Sequence, residues 1–274
     1  MDIVDIIKDS LQYPVDNYVE WIMMAILFFV SSLVSVVIGS SADNAVVGVI
    51  FSVISLVILL ITEGYALKFA KKQIVGSEVT SLDMNELPTN LVADLINGFK
   101  LAVIGLVYLL VYGIIMAIIS YLLGFFDKVT QFSSYFINAY QANPAAFNIN
   151  AVINTIPTDV LANVMTASFI VAVIGVILII ITAVISYVAI GRFAETDSIV
   201  AALNVPEVCK KISEIGIGKF VVFCIIFIIV LIILDIISGI VALIPAVGNI
   251  IAATIVESFI MMFVYVALGK IYTE

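Results

Sequence analysis

Tyr265-Val266-Ala267-Leu268-Gly269-Lys270-Ile271 closes the last apolar run of the chain. Tyr65-Ala66-Leu67-Lys68-Phe69 and Tyr187-Val188-Ala189-Ile190-Gly191-Arg192-Phe193 close two earlier runs in nearly the same way. A recurring ending implies a recurring unit. Two long apolar stretches lie ahead of each ending and an amphipathic segment ahead of those, so each unit reads as a surface helix followed by a transmembrane hairpin. The expected fold is all-α: a polytopic membrane protein with about six transmembrane helices in three parallel repeats. The units cover about residues 1–69, 80–193 and 199–271, with an insertion at 127–159, in a single integral membrane domain spanning 1–274.

Composition requires the same class. Hydrophobic residues make up 64% and charged residues 11% of the chain, with a mean hydropathy of +1.29, where a soluble protein is about half apolar. A net charge of −9 argues against nucleic acid as a partner. The acidic start, Met1-Asp2 to Asp5, lacks the basic segment of a cleavable signal peptide, so the N-terminus is expected to stay on the mature protein. Cys209 falls on a surface helix and Cys224 inside a span, which disfavours a disulfide. Histidine is absent, which removes His-activated nucleophiles and the HExxH zinc site.

At 100° per residue, Ile3, Val4, Ile6, Ile7 and Leu11 share one face of the first helix, opposite Asp2, Asp5, Asp9 and Gln12. Pro14 is expected to end it, with Tyr18 and Trp21 at the headgroup level where the first span begins. A second surface helix should carry Leu91, Val92, Leu95, Ile96 and Phe99 on one face, before Lys100 opens the third span. A third follows Pro206, with Val205, Val208, Ile212 and Ile215 aligned. The fourth span, about Leu161 to Gly191, is uncharged over more than the roughly 20 residues a bilayer needs, so it must tilt, bend or protrude. Every Lys and Arg except Lys128 falls on the side of the termini, so both termini are expected in the cytoplasm. The outer insertion shows helical spacing at Phe132, Tyr135, Phe136 and Tyr140 and again at Ile149, Val152, Ile153 and Ile156. Two short interfacial helices are expected there, either as a lid or as packing against lipid and neighbouring spans. Small residues four apart, Ser31, Ser35 and Gly39, Gly113 and Ala117, and Ser238 and Ala242, suit close helix approach.

Three carboxylates lie within spans, where ionisation costs about 2.5–3.5 kcal/mol. Glu63 is near enough to Lys68 to pair with it or reach the interface. Asp235 and Glu257 each lie about ten residues from the Pro245–Val247 turn, hence about 15 Å deep at one membrane level. Without a basic residue nearby, they read either as a proton or small-cation site, with Ser238, Thr254 or Ser258 assisting, or as a hydrogen-bonded interhelical clamp.

Several segments together are similar to one known family: the opening Met1 to Pro14, Arg192-Phe193-Ala194-Glu195-Thr196, Ile212 to Lys219, Ile244 to Gly248, Gly269 to Tyr272, Glu86-Leu87-Pro88 and Gly98-Phe99-Lys100. The chain resembles the archaeal membrane proteins of domain-of-unknown-function family 4013. Two departures stand out. No Trp follows Leu87-Pro88, and Glu257-Ser258-Phe259 stands where a proline is expected near Phe259, so Glu257 reads as particular to this protein. The resemblance implies an archaeal source and a polytopic cell-membrane protein, and brings no activity with it.

The functional readings follow from what is present. A non-enzymatic membrane-organising or partner-binding protein, acting through lipid, a partner protein or self-association, needs no special residues. A small transporter or channel would use Asp235 and Glu257 for proton or cation coupling, although parallel units disfavour the inverted-repeat design. An enzyme is not expected, because no catalytic constellation appears and Leu234 replaces the Gly that an intramembrane aspartyl protease would place before Asp235. No cofactor motif and no metal-ligand cluster is read.

Overall fold

The computed structural model describes residues 2–40, 44–76, 87–245 and 247–274, with side chains at 87–89 left out. The expected turn around 40–44, the polar stretch with Glu78 and Glu86, and Ala246 of the last turn lie wholly or partly outside the described residues. Helix accounts for 91% of the structure and no strand occurs among the described residues, which makes the protein all-α.

The first amphipathic segment forms α1 (Ile3–Asp16). Pro14 lies within its last turn instead of ending it. The helix stops at Asn17, whose side-chain amide donates to the Tyr13 carbonyl at 2.9 Å. The first hairpin is α2 (Tyr18–Ser40) and α3 (Ala45–Val75), the latter capped by Asn44, which accepts from the Val47 N–H at 3.2 Å. Gly76, at φ 69°, ends α3 in the left-handed conformation that glycine adopts without strain.

The second surface helix is not separate. It runs into the third span as one helix, α4 (Leu87–Leu122), in which Gly98 stays helical and lets the Leu60 backbone of α3 approach. The third surface helix, α9 (Val205–Ile215), does stand apart, since Gly216 breaks the chain at φ 95° before α10 (Ile217–Ala242). The outer insertion contains the two expected helices, α5 (Phe125–Ala142) and α6 (Ile149–Ile153). Next comes α7 (Thr158–Thr196). Its 39 residues extend about 58 Å at 1.5 Å per residue, almost twice the hydrocarbon thickness of about 30 Å. A short α8 (Ile199–Ala202) precedes α9. The final run is one continuous helical stretch made of α11 (Gly248–Ile251), a π-helical turn (Ala252–Val256) and α12 (Glu257–Tyr272). Among the described residues, six helices are long and apolar enough to cross a membrane: Tyr18–Ser40, Ala45–Val75, Asn90–Leu122, Thr158–Thr196, Ile217–Ala242 and Gly248–Tyr272.

The chain forms two compact units, residues 1–106 with 184–274, and residues 107–183, so α4 and α7 contribute to both. In the second unit, Val152, Ile156, Val160, Val164 and Ala167 are buried, and the Tyr112 hydroxyl donates to the Gly175 carbonyl at 3.4 Å. In the first unit the largest buried side chains include Ile6, Met24, Tyr65, Phe69, Phe193, Phe220, Phe223 and Phe263. Most of the remaining span surface is apolar and exposed, as lipid contact requires.

Candidate functional site

Burial in the first unit concentrates on the three recurring endings. Tyr65 to Leu67 and Phe69 on α3, Val188, Ala189 and Phe193 on α7, and Tyr265 to Leu268 and Ile271 on α12 are all buried. They pack on one another because two glycines let the backbones close. A Cβ at Gly269 would meet Ala70 and Gln73 of α3, and one at Gly191 would meet the Tyr272 ring. The Tyr187 hydroxyl bridges α7 to α12 by donating to the Val264 carbonyl at 2.9 Å, while its ring stacks on Phe223 and sits 5.5 Å from Phe227.

Each ending also carries a basic residue that pairs with an acid of an amphipathic segment. Lys68 pairs with Asp94 of α4 at 2.8 Å, and Arg192 pairs with Glu207 of α9. Lys270 pairs with Asp9 of α1 at 3.0 Å. Lys71 with Asp197 and Lys219 with Glu274 add to the same charged layer, and Lys219 holds the Glu274 carboxyl below the usual carboxylate range. Asp94 was not anticipated, although it could have been. An acid between Leu91 and Leu95, on the apolar face of its helix, needs a cation to be buried.

Because Lys68 goes to Asp94, it is not the partner expected for Glu63. Glu63 turns inward, where its Oε2 accepts from the Tyr265 hydroxyl at 2.5 Å. It lines a cavity of about 420 Å³ together with Glu257, Tyr187, Tyr265, Phe28 and Met261, with no Lys or Arg in the lining. Glu257 opens α12 directly after the π-helical turn. Such a turn rotates every following side chain relative to an uninterrupted helix and is frequent at functional sites. Its Oε1 accepts from Ser238 Oγ of α10 at 2.8 Å. Each carboxylate therefore has one hydroxyl donor and one oxygen without a hydrogen bond among the described residues.

Asp235 is placed differently. It lies on the exposed face of α10 and has no hydrogen bond or ion pair among the described residues. Glu257 and Glu63 line one groove, Glu257 at the start of α12 and Glu63 beside Tyr265 two turns further along it, while Asp235 is not part of the lining. Thr254 Oγ1 is buried without a partner, and Ser258 accepts from Trp21 Nε1 at 3.0 Å, so neither serves the acids. Cys209 and Cys224 are free thiols. Among the described residues no group of three or more His, Cys, Asp or Glu could hold a metal ion. The chemistry available is that of two carboxylates and two hydroxyls, which suits a proton or a weakly bound monovalent cation.

Among the described residues, six helices long and apolar enough to cross a bilayer define a multi-pass membrane protein. The chain belongs to the family described as Protein of unknown function (DUF4013), whose model matches residues 47–245. No curated protein and no solved structure matches it.

Proposed function

We propose that this protein is a non-enzymatic transporter or channel of the cell membrane that takes up a proton or small monovalent cation at Glu63 and Glu257, with both termini cytoplasmic. The observation that carries the reading is the shared cavity: two acids from different helices line it and no basic residue accompanies them. Intramembrane acids are costly to keep and are by default part of an ion pathway. Each acid makes one interhelical hydrogen bond, Glu257 with Ser238 and Glu63 with Tyr265, and keeps a second oxygen free of hydrogen bonds among the described residues, which leaves it able to meet an ion. A membrane-organising role, through lipid, a partner protein or a second copy, would use the outward faces and is compatible with uptake at this cavity.

The test is the melting temperature of the detergent-purified protein across pH and a panel of monovalent cations. An ion at 100 times its dissociation constant stabilises a fold by about 2.7 kcal/mol. We expect one cation, or protons, to raise the melting temperature of the wild type and of Asp235→Asn, and to have little effect on Glu63→Gln and Glu257→Gln. Flux of the same ion into proteoliposomes should follow that order. A wild type insensitive to every cation and to pH would falsify the reading.

A further inference from the structure

The outward face of α10 carries a second arrangement, separate from the cavity. Val221, Ile225, Ile228, Ile232, Asp235, Gly239 and Ala242 follow one another at alternating steps of four and three residues, the spacing of a seam that meets another helix at a shallow left-handed crossing. The seam faces away from the protein: Ile225, Ile228 and Ile232 are 54, 50 and 53% exposed, Asp235 and Gly239 are exposed as well, and a Cβ built on Gly239 meets nothing within 4 Å. Isoleucines alone would be ordinary lipid contact. One carboxyl in the middle of the seam, one turn from a glycine that leaves a notch beside it, calls for a hydrogen-bonding group from another helix.

We propose that the occupant is a second copy of this chain, joined along the α10 seam with the two Asp235 carboxyls hydrogen-bonded to each other. Two copies inserted the same way hold their α10 helices parallel, so identical residues meet at identical depth. A neutral carboxyl is both donor and acceptor and therefore complements itself. The chain's own cations are not beside it in sequence, since none of the eleven Lys and Arg lies between Phe220 and Gly269, and Asp235 makes no ion pair among the described residues. A single polar residue in such a seam also fixes register and copy number.

The experiment is energy transfer between labelled copies in phosphatidylcholine–phosphatidylglycerol vesicles as lipid is added, alongside disulfide trapping of Ile232→Cys and Ile233→Cys in a Cys209→Ser, Cys224→Ser background. Wild type and Asp235→Asn, whose amide is likewise self-complementary, should stay dimeric to similar dilution. Asp235→Leu and Gly239→Leu should fall apart at roughly tenfold less lipid, with melting temperatures unchanged because the seam is exposed. Trapping should be efficient at Ile232 and poor at Ile233. The proposal is overturned by a monomeric wild type at the highest protein density, by a dimer indifferent to Asp235→Leu and Gly239→Leu, or by equal trapping at the two cysteines. Loss of association in Asp235→Asn also overturns it, since the carboxylate would then be meeting a cation from a different protein.

Discussion

Lys270 Nζ lies 3.0 Å from Asp9 Oδ2, joining the last helix of the chain to the first. Lys68 with Asp94 and Arg192 with Glu207 link the other two endings to amphipathic segments in the same way. Asp9 is 39% exposed, so the pair should contribute no more than about 1 kcal/mol by itself. Asp9→Lys is expected to lower stability by about that amount or slightly more, through repulsion from Lys270, and the double reversal Asp9→Lys with Lys270→Asp should recover most of it. A double-mutant cycle on thermal unfolding in detergent measures the coupling.

Gly64 and Gly98 should be the least tolerant glycines of the first unit. A Cβ at Gly64 would collide with the Asp94 backbone, and one at Gly98 with the Leu60 backbone. The contacts are reciprocal: Leu60 and Gly64 are one turn apart on α3, as are Asp94 and Gly98 on α4. Backbone cannot yield as a flexible side chain can, so Gly64→Ala or Gly98→Ala should cost about 1–3 kcal/mol and also displace Asp94 from Lys68. Gly39 and Gly113, with nothing within 4 Å of an added Cβ, are the controls. Alanine there should leave stability unchanged or raise it by up to about 1 kcal/mol. Melting temperatures of the four variants make the comparison.

Those glycines also mark where sequence reading runs out. Periodicity exposes one helix at a time, so the six spans, α1, α9 and the outer helices α5 and α6 were legible. What stands opposite a given residue is a tertiary property. Gly39 and Gly113 have suitable spacing yet face open surface, whereas Gly64, with no small residue four away, and Gly98, four before Ala102 but not singled out, are the ones that meet a neighbouring backbone. The equal depth of Asp235 and Glu257 could be counted from the turn. Their directions could not, because the π-helical turn at Ala252–Val256 leaves no mark in composition and changes the rotation of every residue after it. Glu63 was misassigned for a related reason. Lys68 is close in sequence, but Asp94, brought in by the glycine crossing, takes it.

Orientation is open to a direct check. The bias of Lys and Arg predicts α9 on the cytoplasmic side and the α5 helix outside. Cys209, exposed on α9, should resist a membrane-impermeant maleimide in intact cells and react once the membrane is opened. A cysteine at Ser134 of α5, in a Cys209→Ser background, should react in intact cells. The reverse labelling pattern would overturn the orientation.

Tyr187 and Tyr265 occupy corresponding places in two of the endings and should respond differently to loss of the hydroxyl. Tyr187 donates to a helix carbonyl, a neutral acceptor, and Tyr187→Phe should cost about 1 kcal/mol. Tyr265 donates to a carboxylate at 2.5 Å, and hydrogen bonds to charged groups are worth about 1.5–3 kcal/mol. Tyr265→Phe should therefore be the more damaging in a cation-free buffer, since it leaves Glu63 without the hydroxyl. A bound cation would supply what the hydroxyl no longer does. Saturating the selective ion should accordingly narrow the gap between Tyr265→Phe and wild type, and leave the gap for Tyr187→Phe as it was. Adding Glu63→Gln to Tyr265→Phe should remove most of the extra cost, because no charge then remains to be satisfied. Thermal unfolding of the three variants with and without the ion gives all of these differences. Equal costs for the two tyrosines would mean that Glu63 draws little from the hydroxyl and that the cavity is a packing defect.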